Sequence, residues 1–95
     1  MNKYESIIIV NPNVEEKQID EIIKKINDVI NSNGKVNKVE NLGKKKLAYA
    51  IRNENEGIYI LFEFESESRT IHELERLYRM TDEIIKFIVV HQDEE

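Results

Sequence analysis

The chain has 95 residues with 14 basic and 19 acidic side chains, a formal charge of −5 and a pI of about 5.1, which is enough chain for one domain with a single core. The absence of cysteine excludes disulfides and thiolate metal sites. No uninterrupted apolar run exceeds five residues, far too short for a bilayer span or a signal-peptide core, so a cytoplasmic protein without a membrane role is expected.

Whole-chain acidity argues against a nucleic-acid partner, but the charge is unevenly placed. Residues 1–34 carry a net −2, residues 35–52 a net +5 and residues 53–95 a net −8. The middle segment sets Lys35, Lys38, Lys44, Lys45, Lys46 and Arg52 against Glu40 alone. Salt screens charges beyond about 8–10 Å, so such a cluster presents its own field whatever the total.

In chain order, residues 4–10 (Tyr-Glu-Ser-Ile-Ile-Ile-Val) are β-branched and stopped by Asn11-Pro12-Asn13, which predicts a central strand. Asn13 and Glu16 have capping spacing for a helix. Ile19, Ile22, Ile23, Ile26 and Ile30 then form one apolar stripe, ended by Asn33-Gly34 as a left-handed terminator. Residues 35–52 read as extended, with Leu47, Tyr49 and Ile51 on one face and Gly43 suited to a bulge. Residues 53–57 (Asn-Glu-Asn-Glu-Gly) read as a turn, and 58–65 as a strand in which Ile60, Phe62 and Phe64 alternate with Tyr59, Leu61 and Glu63. Thr70 with Glu73 has capping-box spacing ahead of Ile71, Leu74, Leu77 and Tyr78, predicting a second helix to about Met80-Thr81-Asp82. The last strand is 84–91.

The order βαββαβ with right-handed crossovers gives a four-stranded antiparallel sheet in the order 4-1-3-2, an α+β fold of ferredoxin-like type with both helices on one face. One domain covers 1–95, with 91–95 expected to fray. The alternation leaves Ile7, Ile9, Tyr59, Leu61, Ile88 and Val90 on the open face, more apolar than a wet sheet face should be, which marks it for a protein partner.

Catalytic chemistry is sparse. His72 and His91 lack a neighbouring nucleophile or metal-ligand spacing. The acidic pairs sit at helix starts, strand edges and the chain end, where carboxylates stay solvated. The three glycines, Gly34, Gly43 and Gly57, are too scattered for a phosphate-cradling loop. Neither an enzyme, a metal, a cofactor nor a small-molecule substrate is expected. With Tyr59 the one aromatic on the open face, base stacking on the sheet is disfavoured.

The stretch Asn41-Leu42-Gly43-Lys44-Lys45-Lys46-Leu47-Ala48-Tyr49-Ala50-Ile51 resembles the second strand of the bacterial ribosomal protein six family of the small subunit. Tyr4-Glu5, Asn11-Pro12-Asn13, Glu56-Gly57 and Ile88-Val89-Val90 extend the likeness over residues 3–91. Ala50, where proline is frequent, and Ser6, at a commonly apolar position, depart from the pattern. The resemblance implies a structural role, binding the central domain of small-subunit ribosomal RNA as a heterodimer with ribosomal protein eighteen. Under it Lys44, Lys45 and Lys46 become phosphate contacts, their side chains aimed together by the Gly43 bulge, with Lys3, Arg52, Lys86 and His91 extending the footprint. A lysine-bearing edge strand argues for a monomer when free. Fold alone leaves other readings: a ligand-sensing or protein-interaction module, or an acyl-phosphate hydrolase, which would want an arginine near the first loop, where none precedes Arg52.

Overall fold

The structure, a computed structural model, describes residues 1–92. Its elements are β1 (Asn2–Val10), α1 (Glu16–Ser32), β2 (Gly34–Ile51), β3 (Glu54–Ser66), α2 (Ser68–Met80) and β4 (Ile84–Gln92). The four strands form one antiparallel sheet in the order β2-β3-β1-β4, the arrangement expected from the element order. The ladder of β4 holds through Gln92, opposite Lys3. The rest of the segment expected to fray, 93–95, lies outside the described residues.

Strand pleating sends alternate side chains to opposite faces. On β1 this places Tyr4, Ser6, Ile8 and Val10 under the helices, all buried. Opposite them stand Phe64, Phe62, Ile60 and Ile58 of β3, and Ile19, Ile22, Ile26, Ile30, Leu74 and Tyr78 complete the core from above. Each large apolar group sealed here is worth about 1.5–3 kcal/mol relative to exposure. Ser6 is wholly buried, and its hydroxyl meets the Tyr78 hydroxyl at 2.8 Å. The polar side chain at an apolar position is therefore matched by a polar group descending from α2.

The helix ends differ from expectation. Asn13 does not cap α1: its N–H is taken by Asn11 Oδ1 at 2.9 Å, which closes the turn after β1. Glu15 is the cap residue, and its N–H donates to Gln18 Oε1 at 3.1 Å in a capping box. For α2 the cap position is Glu67, with the Thr70 N–H donating to the Glu67 carbonyl at 3.0 Å, while the Thr70 side chain is buried beneath the helix instead of capping it. Asn33 ends α1 without a left-handed residue following it, since Gly34 does not have positive φ. Gly34 instead opens β2 so close to β3 that a Cβ would strike the Glu65 carbonyl oxygen.

The β2–β3 turn is tighter than the five residues expected. Ile51 faces Glu54 across a two-residue turn of Arg52 (φ 49°) and Asn53 (φ 66°), the paired positive φ of a type I′ hairpin. Gly57 lies inside β3 opposite Lys45, where a Cβ would collide with Ile9 Cγ2. The glycine marks close packing of two strands, and the turn precedes it. Because this hairpin runs past the end of β1, the radius of gyration is 13.1 Å against about 12 Å for a compact chain of this length.

Candidate nucleic-acid interface

β2 is an edge strand interrupted three times, between Val36 and Lys38, between Asn41 and Gly43, and between Lys46 and Ile51. At the second interruption Gly43 takes φ 86°, a conformation that a side chain would strain. The ladder is then regular, with Lys44 opposite Ile58, Lys45 opposite Gly57 and Lys46 opposite Glu56. Adjacent residues of a regular strand point to opposite faces, so the expected aiming of the three lysines to one side does not form. Lys45 shares the open face, and Lys44 and Lys46 share the helix side. All three are exposed, and among the described residues none has a carboxylate within 4 Å.

The other end of the basic stripe meets acidic side chains. Lys38 Nζ lies 3.3 Å from Glu40 and 3.9 Å from Glu63, Lys35 stands opposite Glu65, and Glu65 also accepts from Asn37 Nδ2 at 3.0 Å. In the first half of the stripe Lys38 is thus ion-paired, whereas Lys44, Lys45 and Lys46 in the second half make no ion pair among the described residues.

The sheet register sorts the seven candidate RNA residues into two groups. Lys44, Lys45, Lys46 and Arg52 sit where β2 and β3 run past Val10, and Lys86 pairs with Ile9 at the same end. Lys3 and His91 lie at the other end, six residues along β1 and about 20 Å away at a strand's rise. His91 packs at a tilt against Tyr4, ring centroids 5.1 Å apart and planes at 34°, on the helix side of the sheet.

Two residues that sequence reasoning missed join the basic end. Tyr49 was expected on a regular strand, yet residues 47–50 leave the ladder as a bulge opposite Asn55. Tyr49 swings over the open face and lines a hollow with Ile9, Tyr59 and Lys86. Lys86 Nζ donates to its hydroxyl at 3.2 Å and stands 5.5 Å from its ring centroid, so the contact runs mainly through the oxygen. Arg79, in the last turn of α2, shares a second hollow with Arg52 and Lys86. Helix and strand periodicity carry no signal for either meeting.

On the open face, Ile88 and Val90 are 52% and 51% exposed, and Ile7, Tyr59 and Leu61 are half-buried. Ile7 lies between Leu61 and Ile88 in the ladders, giving a continuous apolar strip. Ile9 is buried beneath the Tyr49 bulge and against Gly57, which withdraws it from the surface assigned to a partner. Among the described residues no helix is long and apolar enough to cross a membrane, and no acidic or histidine cluster is placed to hold a metal.

A family model described as Ribosomal protein S6 matches residues 3–91. The chain belongs to the ribosomal protein S6 family. Small ribosomal subunit protein bS6 of Clostridium acetobutylicum is 43% identical over 91 residues, covering 95% of this chain and 96% of that one. The bS6 protein of Heliobacterium modesticaldum is 38% identical over the full length of both. The crystal structure of 30S ribosomal protein S6 from Thermotoga maritima superposes with a TM-score of 0.90 at 35% identity, covering 96% of this chain and 87% of that one. The S6 family is structural and non-enzymatic, its place being the cytoplasmic ribosome. The ferredoxin-like topology read from the element order is the S6 fold.

Proposed function

We propose that the protein is a structural constituent of the small ribosomal subunit that binds the phosphate backbone of small-subunit ribosomal RNA through Lys44, Lys45 and Lys46, with ribosomal protein eighteen seated on its open sheet face. The observation that carries this reading is the exposed edge of Lys44, Lys45 and Lys46, which among the described residues make no ion pair within 4 Å, on a chain whose family is ribosomal. Lysines on both sides of an edge strand suit a backbone that curves round that edge, each neutralising a phosphate without reading sequence. Arg52 and Lys86, at the same end, extend this contact. Lys3 and His91, each engaged in an interaction of its own, make a separate contact at the far end. The strip of Ile7, Leu61, Ile88 and Val90, flanked by Tyr59, is the partner's seat. The free chain, its β2 edge broken by bulges and lysines, is monomeric.

The test is the salt dependence of binding to a central-domain ribosomal RNA fragment with the partner present. Replacing all three lysines by alanine lowers the slope of log affinity against log salt by up to about 2.7, three phosphates at about 0.9 each. An unchanged slope would remove the lysine edge from the interface.

A further inference from the structure

The basic end of the sheet carries a second cluster, assembled from three elements that are distant in sequence. Arg52 holds the first position of the β2–β3 turn, Arg79 the last turn of α2 and Lys86 the start of β4. The three line one hollow of about 280 Å³ over Tyr78 and Phe87, and no carboxylate is among the residues lining it.

Each cation is positioned by a contact that leaves its donors in surplus. Arg52 Nη1 donates to the Asp82 carbonyl at 3.4 Å, which draws the hairpin tip toward the loop before β4. The Arg79 guanidinium lies 5.8 Å from the Phe87 ring centroid and 3.8 Å from Glu75. Lys86 donates to Tyr49. A guanidinium has five N–H donors and an ammonium three, and Glu75 is the one carboxylate in ion-pair contact with the trio among the described residues.

Local structure gives no reason for an arginine at position 52. The first position of a type I′ turn favours Asn, Asp or Gly, because φ is positive there, and Arg52 holds φ 49°. A residue kept in a disfavoured conformation in one hollow with a second guanidinium, that of Arg79, points to a use for its charge.

We propose that this hollow binds one phosphodiester of the ribosomal RNA backbone, gripped by the Arg52 and Arg79 guanidiniums, with Lys86 in the wall of the hollow and its ammonium held by Tyr49 toward the open face. The proposal rests on the RNA-binding reading above and extends it from the β2 edge round the end of the sheet to the β4 edge. Planar guanidiniums match phosphate oxygens two at a time. The choice of an RNA phosphate over an acidic protein segment follows from the lysine edge at the same end of the sheet.

Two substitutions test it. Arg52→Asn suits the turn better than arginine, so it removes the charge while leaving the thermal midpoint unchanged or raised, and Arg79→Gln alters an exposed side chain. In the complex with partner and RNA, the double variant R52N/R79Q lowers the slope of log affinity against log salt by about 0.9, one phosphate's share. That loss adds to the loss from the Lys44, Lys45 and Lys46 triple variant. A double variant with the wild-type slope, measured where the triple variant does lower it, overturns the hollow and leaves the lysine edge standing. A drop in the double variant alone supports the hollow and overturns the lysine edge. Inorganic phosphate is the second probe: amide shifts at Arg52, Asn53 and Asp82 that saturate with it while the RNA slope stays unchanged overturn the assignment to RNA.

Discussion

Ser6 carries a hydroxyl into a layer of isoleucine and phenylalanine, where an unpaired polar group costs about 1–3 kcal/mol. The Tyr78 hydroxyl at 2.8 Å removes that cost. Truncating either partner strands the other, so Ser6→Ala and Tyr78→Phe are each expected to lower the unfolding free energy by about 1–3 kcal/mol. The S6A/Y78F pair should lose less than the sum, as measured by urea denaturation. Burial holds the Tyr78 hydroxyl well above the usual tyrosine range, with the Ser6 hydrogen bond opposing the shift and Glu75 adding to it. In the fold Tyr78 stays neutral where the unfolded chain's tyrosine ionises, near pH 10. The stability tied to this difference is therefore complete below about pH 10 and is lost as pH rises above it, by at most about 1.4 kcal/mol per unit. Tyr78→Phe should flatten that alkaline limb. The sequence showed Ser6 as an apolar position holding a polar residue, but its partner lies 72 residues away, joined only by the crossing of α2 over β1.

The helical stripes were legible because a 3.6-residue period needs a single face to be buried, and Ile19, Ile22, Ile26 and Ile30 are buried as spaced. Caps were less legible, since several polar residues near a helix start compete for the same few N–H groups: Asn11 takes Asn13, and Glu15 pairs with Gln18. β2 was legible as an extended segment and illegible in its faces, because each bulge resets the alternation. The hairpin turn was misplaced because Gly57 looks like turn chemistry, whereas it answers to Ile9 on the neighbouring strand. Gly57→Ala should therefore destabilise by about 1–3 kcal/mol through overpacking. Combining it with Ile9→Ala, which removes the colliding methyl, should cost less than the sum of the single changes in chemical denaturation; strict additivity would show that the glycine serves another purpose.

At the scale of the molecule, the segment charges located the basic region but not which of its lysines are ion-paired, because Lys38 pairs with Glu63, a β3 residue that composition assigns to the acidic part of the chain. Five of the seven candidate RNA residues lie at one end of the sheet, and Arg79 joined them through the packing of α2 on β4. The open face separates stability from binding. Ile88 and Val90 are half exposed, so changing both to glutamate should move the unfolding free energy by no more than about 0.5 kcal/mol each. The same change should abolish partner binding in a pull-down or calorimetric titration, and undiminished binding would place the partner elsewhere. Lys86 lines the cationic hollow with Arg52 and Arg79, the hollow beneath Tyr49, and the apolar hollow beside Ile7 and Ile88. On the proposed reading, a phosphate in the cationic hollow and a protein pressed against the open face both contact this one residue, so the two affinities would be thermodynamically linked. Linkage is reciprocal: whatever factor the protein adds to the grip on RNA, the RNA adds to the grip on the protein.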